Sequence, residues 1–124
     1  MSYTTTWEDN GILWQLSGIV SSQEIFEFSN AFYADPRSDD IKYQIVDCSC
    51  IEKFDLDDET MMEVASLDAA ASLTIKKIKV ALVGKAEHVK KINQEYSENF
   101  QSFSSNWIIK IFDDIDSARL WLAQ

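Results

Sequence analysis

Four consecutive positions, Asp47, Cys48, Ser49 and Cys50, gather a carboxylate, a hydroxyl and two thiols at the end of an apolar run. A thiol attacks as its thiolate, so it needs a neighbouring base or cation. The one histidine, His88, follows the next apolar run, in Gly84-Lys85-Ala86-Glu87-His88. If the two runs are neighbouring parallel strands, these segments reach the same sheet edge. A cysteine-dependent enzyme using Cys48 or Cys50 with His88 is then one reading. The competing account is structural: free cysteines act as small hydrophobes, and successive strand residues point to opposite faces. On that balance the chain reads as non-enzymatic.

Two other polar clusters carry weaker chemistry. The turn glycine, the lysine and the free amides of a helix start around Gly84 to His88 suit a phosphate or carboxylate. The second Gly and the Lys-Ser/Thr pair of a phosphate loop are missing, however, and an ordinary strand-to-helix turn competes. Asp55, Asp57, Asp58 and Glu59 surround Leu56 without the Gly and the spaced ligands of a calcium loop. Cys-x-Cys with one His lacks the further ligands of a zinc site. No metal and no cofactor is expected. Acids at a helix start also have a plain role, opposing the partial positive charge there.

These groups need a scaffold, and the apolar pattern supplies one. Tyr43 to Val46, Ile78 to Val83 and Trp107 to Phe112 lie a helix-length apart, each followed by a segment of helical periodicity. Strands alternating with helices predict an α/β domain with a parallel sheet. Ahead of them, Tyr3 to Glu8 and Gly11 to Leu16 flank Asp9-Asn10, and Asn10-Gly11 signals a tight hairpin because both residues tolerate positive φ. Ser21 and Glu24 fit a capping box, and Ile25, Phe28 and Phe32 follow at helical spacing until Pro36.

The next strand is expected from Ile41 to Asp47, ending where apolar residues give way to Asp-Cys-Ser-Cys. The helix opened by Asp57 to Glu59 has two apolar rows, Met61, Val64, Leu67, Ala71 and Met62, Ala65, Ala69, Leu73, which predicts burial on more than one side. Val89, Ile92, Tyr96, Phe100 and Phe103 form the inner face of a third helix. Ala118, Trp121 and Leu122 do so for a fourth, opened by Asp113 or Asp114. The order is ββαβαβαβα in a single domain, 1–124: a mostly parallel sheet of four or five strands with an antiparallel edge strand, flanked by helices joined by right-handed crossovers. In such sheets ligands and partners meet the carboxyl ends of the strands.

Composition narrows the function classes. The 124 residues carry 11 Lys and Arg against 21 Asp and Glu, a formal net charge of −10. That field repels phosphate backbones and anionic headgroups, so nucleic acid is not an expected partner and basic partners are favoured. The first residues lack the cationic and apolar regions of a signal peptide, and no apolar run approaches the ~20 residues that span a bilayer. The expectation is a cytoplasmic protein without membrane insertion, its two close-set cysteines reduced.

Ile12-Leu13-Trp14-Gln15-Leu16-Ser17-Gly18-Ile19-Val20, Ile45-Val46-Asp47-Cys48-Ser49 with Phe54 and Asp55, and Ile111-Phe112-Asp113-Asp114 with Ala118, Trp121 and Leu122 together resemble the STAS fold of bacterial anti-sigma-factor antagonists. The likeness is greatest to the SpoIIAA-like, STAS/SEC14-related group. It implies a strand ending in a Gly before a capped first helix, a central strand with the loop before the second helix, and a closing Phe-Asp…Ala…Trp-Leu pattern. In the antagonists that loop reads Asp-Ser-Ser-Gly, and its first Ser is phosphorylated. Here Asp55-Leu56-Asp57-Asp58 stands in its place, without the phosphorylatable Ser.

The reading is therefore a STAS-like binding or regulatory module that engages a protein partner or small ligand at the carboxyl edge of its sheet and the second helix. Asp47, Ser49, Asp55, Asp57 and Asp58 would make polar contacts, with Lys85 and His88 at the rim. The alternative is a carrier of a small apolar or amphipathic, lipid-like molecule, suggested by Phe26, Phe28, Phe32, Tyr96, Phe100 and Phe103 and by the SEC14 kinship that the resemblance implies. A homodimer is compatible with either.

Overall fold

The computed structural model describes residues 3–74, 78–103 and 106–124. Strands β1 (Tyr3–Trp7) and β2 (Gly11–Ser21) open the chain as an antiparallel hairpin, with Tyr3 opposite Leu16 and Trp7 opposite Ile12. The Glu8 amide donates to the Gly11 carbonyl at 2.8 Å across the turn. The hairpin lies where Asn10-Gly11 predicts it, but for a different reason. Gly11 does not have positive φ; a Cβ there would lie 2.5 Å from the Tyr43 ring, so close approach demands the glycine. The left-handed glycine is Gly18, at φ 66°. It sits at a register shift against the neighbouring strand, and β2 runs through it to Ser21 instead of stopping.

Ser21 then caps α1 (Ser22–Ala34): its hydroxyl accepts from the Glu24 amide, and the Glu24 carboxylate accepts from the Ser21 amide. A short 3-10 turn at Pro36–Asp39 leads into β3 (Tyr43–Asp55). Here the expected boundary is wrong. Only Tyr43 to Asp47 pair with β4 (Lys79–Val83), but β3 continues along β2 as far as Asp55, opposite Ser21. The switch to Asp-Cys-Ser-Cys thus marks the rim at which β4 stops, while β2 and β3 run on as a two-stranded ribbon. A ribbon with one wet face accepts the polar residues that read as a loop.

The remaining elements are α2 (Asp58–Ala71), α3 (Glu87–Phe103), β5 (Ile108–Phe112) and α4 (Ile115–Leu122). The five strands lie in sequence order, β1 as the antiparallel edge and the rest parallel. Sequential order combined with right-handed crossovers puts α1, α2 and α3 on one face. They close a core that includes Trp14, Phe28, Phe32, Val64, Val89 and Phe100. On the opposite face α4 covers Leu13, Ile45, Ala81 and Val83 with Ala118 and Trp121. In the larger core the Trp14 ring lies 5.1 Å from both Phe28 and Phe32, contacts that fix α1 against the sheet.

One expectation about side chains fails. On α2 the apolar stripe Met61, Val64, Ala65 and Ala69 is buried together with Thr60, whereas Met62 is 44% exposed and Leu73, just past the helix end, 71%. Phe103, at the end of α3, is 50% exposed. The sheet takes one stripe drawn from both rows, and only Met62 and Leu73 of the second row are left to the solvent side.

Candidate functional site

The rim after β3 and β4 brings part of the predicted site together. Asp47 pairs with Val83, and a Cβ on the adjoining Gly84 would lie 3.6 Å from that of Cys48. Residues 47–50 and 84–88 therefore share one edge. Asp47 Oδ1 accepts from the Ser49 amide at 3.0 Å and from its hydroxyl at 2.6 Å, which joins these two residues in a local turn. Lys85 and His88 are exposed at the start of α3. Beside them the Lys90 ammonium pairs with Asp113 at 2.8 Å. Asp114 caps α4 and is held below the ordinary carboxylate range by hydrogen bonds from Ser117, with a smaller pull from Lys85. Cations on this rim already face acids, which weakens its appeal to a free anion.

The thiols do not make a nucleophile there. Cys48 is 2% exposed, and burial, with the Asp47 charge adding to it, pushes its thiol up to about 12. At neutral pH it stays protonated. Cys50 is exposed, and the described residues show no hydrogen bond from either sulfur to His88.

A different site lies beneath the helices. The sheet face of β2 to β4 and the inner sides of α1, α2 and α3 leave a cavity of about 90 Å³. Its walls are largely apolar, with Trp14, Phe28, Phe32, Val46, Leu82 and Ile92 prominent. Gln44 of β3 and Asn93 of α3 line it at 6% and 4% exposure. Among the described residues, Gln44 Nε2 and Asn93 Nδ2 have no hydrogen-bond partner. At one wall the hydroxyls of Tyr33 and Tyr96 donate to the two oxygens of Asp68. The Asp68 residue is only partly buried, but its carboxyl group is enclosed, and burial raises it to about 6 against the opposing pull of the two hydroxyls.

None of these polar groups is among the predicted site residues. The signal was phase: Gln44 stands between Tyr43 and Ile45 in a strand, and Asn93 falls four residues after Val89 on an inner helical face.

No family model and no curated protein sequence matches the chain. Solved structures do. Phosphorylated SpoIIAA, described as a Bacillus cell fate determinant, aligns at TM-score 0.60 and 9% identity over 98% of this chain and 99% of its own. The unphosphorylated form of SpoIIAA, described as an anti-sigma factor antagonist, gives 0.59 at 12% identity over 98% and 96%. An uncharacterised Shewanella loihica protein of the DUF3478 family, with a SpoIIAA-like fold, gives 0.57 at 14% identity over 97% and 91%. The chain has the SpoIIAA-like STAS fold.

Within this STAS fold the acidic segment lies away from Asp47. Asp55 is the last residue of β3, so up to about 26 Å of strand, at ~3.3 Å per residue, separates the two. Asp57 caps α2: its Oδ1 accepts from the Thr60 amide at 2.6 Å, and its hydrogen bonding with Thr60 keeps the carboxyl below its usual range. Leu56, half-buried, lines the cavity, while Asp55 and Asp58 are exposed. The predicted constellation is thus split, with Asp47, Ser49, Lys85 and His88 on the rim and Asp55, Asp57 and Asp58 at the ribbon's end.

Proposed function

We propose that this chain is a non-enzymatic binding module of the STAS fold that engages a protein partner along α2. The observation behind this is an exposed groove in which Phe26 of α1, Met62, Leu67 and Ala70 of α2, and Phe103 of α3 come together. Contiguous exposed apolar surface of this kind marks an interaction site. Glu63 lies in the same groove, and the chain carries −10 overall, so the complementary partner presents apolar anchors flanked by Lys or Arg. One fold neighbour is named an anti-sigma factor antagonist, a name that describes action against a protein. Asp55, Asp57 and Asp58 lead into the same helix and would extend the contact, and Asp47, Ser49, Lys85 and His88 would serve from the rim. Action in the cytoplasm belongs to this reading; among the described residues no helix is long and apolar enough to cross a membrane.

A photo-crosslinking residue at Met62, in protein expressed in its own host, tests the proposal. The expected product is a heterologous adduct that fails to form from Leu120 on α4, which is 71% exposed on the other face. Adducts only between copies of the chain, or equal yields from the two positions, would replace the proposal with self-association or with non-specific contact.

A second reading, favoured by the cavity between the sheet and α1 to α3, is that the module holds a small molecule. The cavity falls short of the ~300 Å³ of a typical ligand pocket, so its occupant is compact rather than a full lipid.

A further inference from the structure

Gln44 lines the cavity from the sheet side and Asn93 from the helical side, and among the described residues each has a buried amide nitrogen without a partner beside a space walled mainly by carbon. A buried donor left unpaired costs about 1–3 kcal/mol, whereas leucine at either position would fill similar space without that cost. Two such donors converging on one cavity mark the place where an acceptor arrives.

We infer that the cavity binds a small uncharged molecule with a compact apolar body and a hydrogen-bond acceptor of the ketone, ester or ether class, gripped by Gln44 Nε2 and Asn93 Nδ2. This rests on the small-molecule reading of the cavity given above. Among the described residues the lining contains no Lys, Arg or His, so an anion finds no counter-charge there. The one acid among the described lining residues, Asp68, already accepts from Tyr33 and Tyr96, so a cation finds the carboxylate engaged.

Size sets a further bound. A cavity of ~150 Å³ admits the six carbons of benzene, so the 90 Å³ here suits about four non-hydrogen atoms. Water is the competing occupant. Three molecules would fill the volume at about 30 Å³ each, but each seeks about three hydrogen bonds in a space lined chiefly by Trp14, Phe28, Phe32 and Leu82.

The test compares acetone with its hydrocarbon isostere 2-methylpropene, each titrated into the full, isotope-labelled chain. The side-chain amide signals of Gln44 and Asn93 and the methyl signals of Val80 and Leu82 report binding by NMR. The ketone should saturate, shift both amide signals and bind at least ten-fold tighter than the alkene. Gln44→Leu and Asn93→Leu should each reduce that preference several-fold without weakening the alkene; should either variant fail to fold, the wild-type ratio decides. Equal affinity for the two probes would overturn the acceptor inference and leave the small-molecule reading standing. Saturation by neither, or amide signals that show contact with water and ignore the ketone, would overturn both.

Discussion

Tyr33 and Tyr96 donate their hydroxyls to the two oxygens of a single carboxylate, Asp68, so α1 and α3 are tied to α2 through one enclosed acid. These three helices form the lid of the cavity. Replacing either tyrosine by phenylalanine leaves one oxygen of a buried acid without its donor, a loss of about 1–3 kcal/mol at pH 7. The double replacement should cost less than the sum of the two, because both donors stabilise the same charge. Urea unfolding of the four proteins measures this, and single losses under about 0.5 kcal/mol would show the clasp to be unimportant.

Asp68 also makes stability depend on pH in a definite direction. Burial raises its folded-state pKa to about 6, against roughly 3.9 in an unfolded chain. Between these values the folded protein keeps the proton that the unfolded chain has released. Its contribution is therefore fully present below about pH 4 and is lost as the pH rises through about 6. Glu8, Asp35, Asp57 and Asp114 are shifted the other way and lose their contribution as the pH falls, so wild type alone shows a mixture. Measured against Asp68→Asn, in which those groups cancel, wild type should lose up to about 3 kcal/mol between pH 4 and pH 7. A difference that stays level across that range would contradict the assignment.

The two thiols should separate cleanly. At pH 8, iodoacetamide should modify Cys50 in the folded protein and leave Cys48 untouched until guanidinium unfolds the chain. His88→Gln should leave the Cys50 rate as it was. Two fast thiols in the native state, or a slowed reaction in the His88 variant, would return the cysteine-dependent enzyme to consideration.

The glycines should respond differently to alanine. At Gly18 the added methyl meets open space, so Gly18→Ala carries only the left-handed backbone penalty, about 1–2 kcal/mol. At Gly11 the methyl meets the Tyr43 ring, whose hydroxyl donates to Glu8. Gly11→Ala should therefore cost more in wild type than in a Tyr43→Ala background, and thermal unfolding of the four proteins in that cycle would show it. Equal costs in the two backgrounds would mean the ring has room to move.

The element order could be read because its signals are local: Asn10-Gly11, the Ser21 and Glu24 cap, Pro36, and apolar runs of strand length. The meeting of residues 47–50 with 84–88 follows from the adjacency of β3 and β4. The reach of β3 to Asp55 could not be read in the same way, because Cys50 and Lys53 lie in a strand only through pairing with β2, and register shifts at Ser49 and Glu52 break the alternation. Asp57 illustrates a different limit: its acid was visible, and its engagement with the Thr60 amide is what a helix start asks of such a residue. Gln44 and Asn93 look like surface residues until strand and helix phase are applied. Whether a hole remains beside them is decided by packing at the ångström scale, which no sequence pattern records.

Each strand of the sheet lies beside the one that precedes it in the chain. No later segment has to wedge between two earlier ones, so a ribosome could lay the sheet down outward from the opening hairpin, each new ribbon zipping onto a finished border as it emerges. Assembly of this kind relies on short-range pairings and keeps few unpaired borders waiting, conditions that favour quick folding and low aggregation during synthesis.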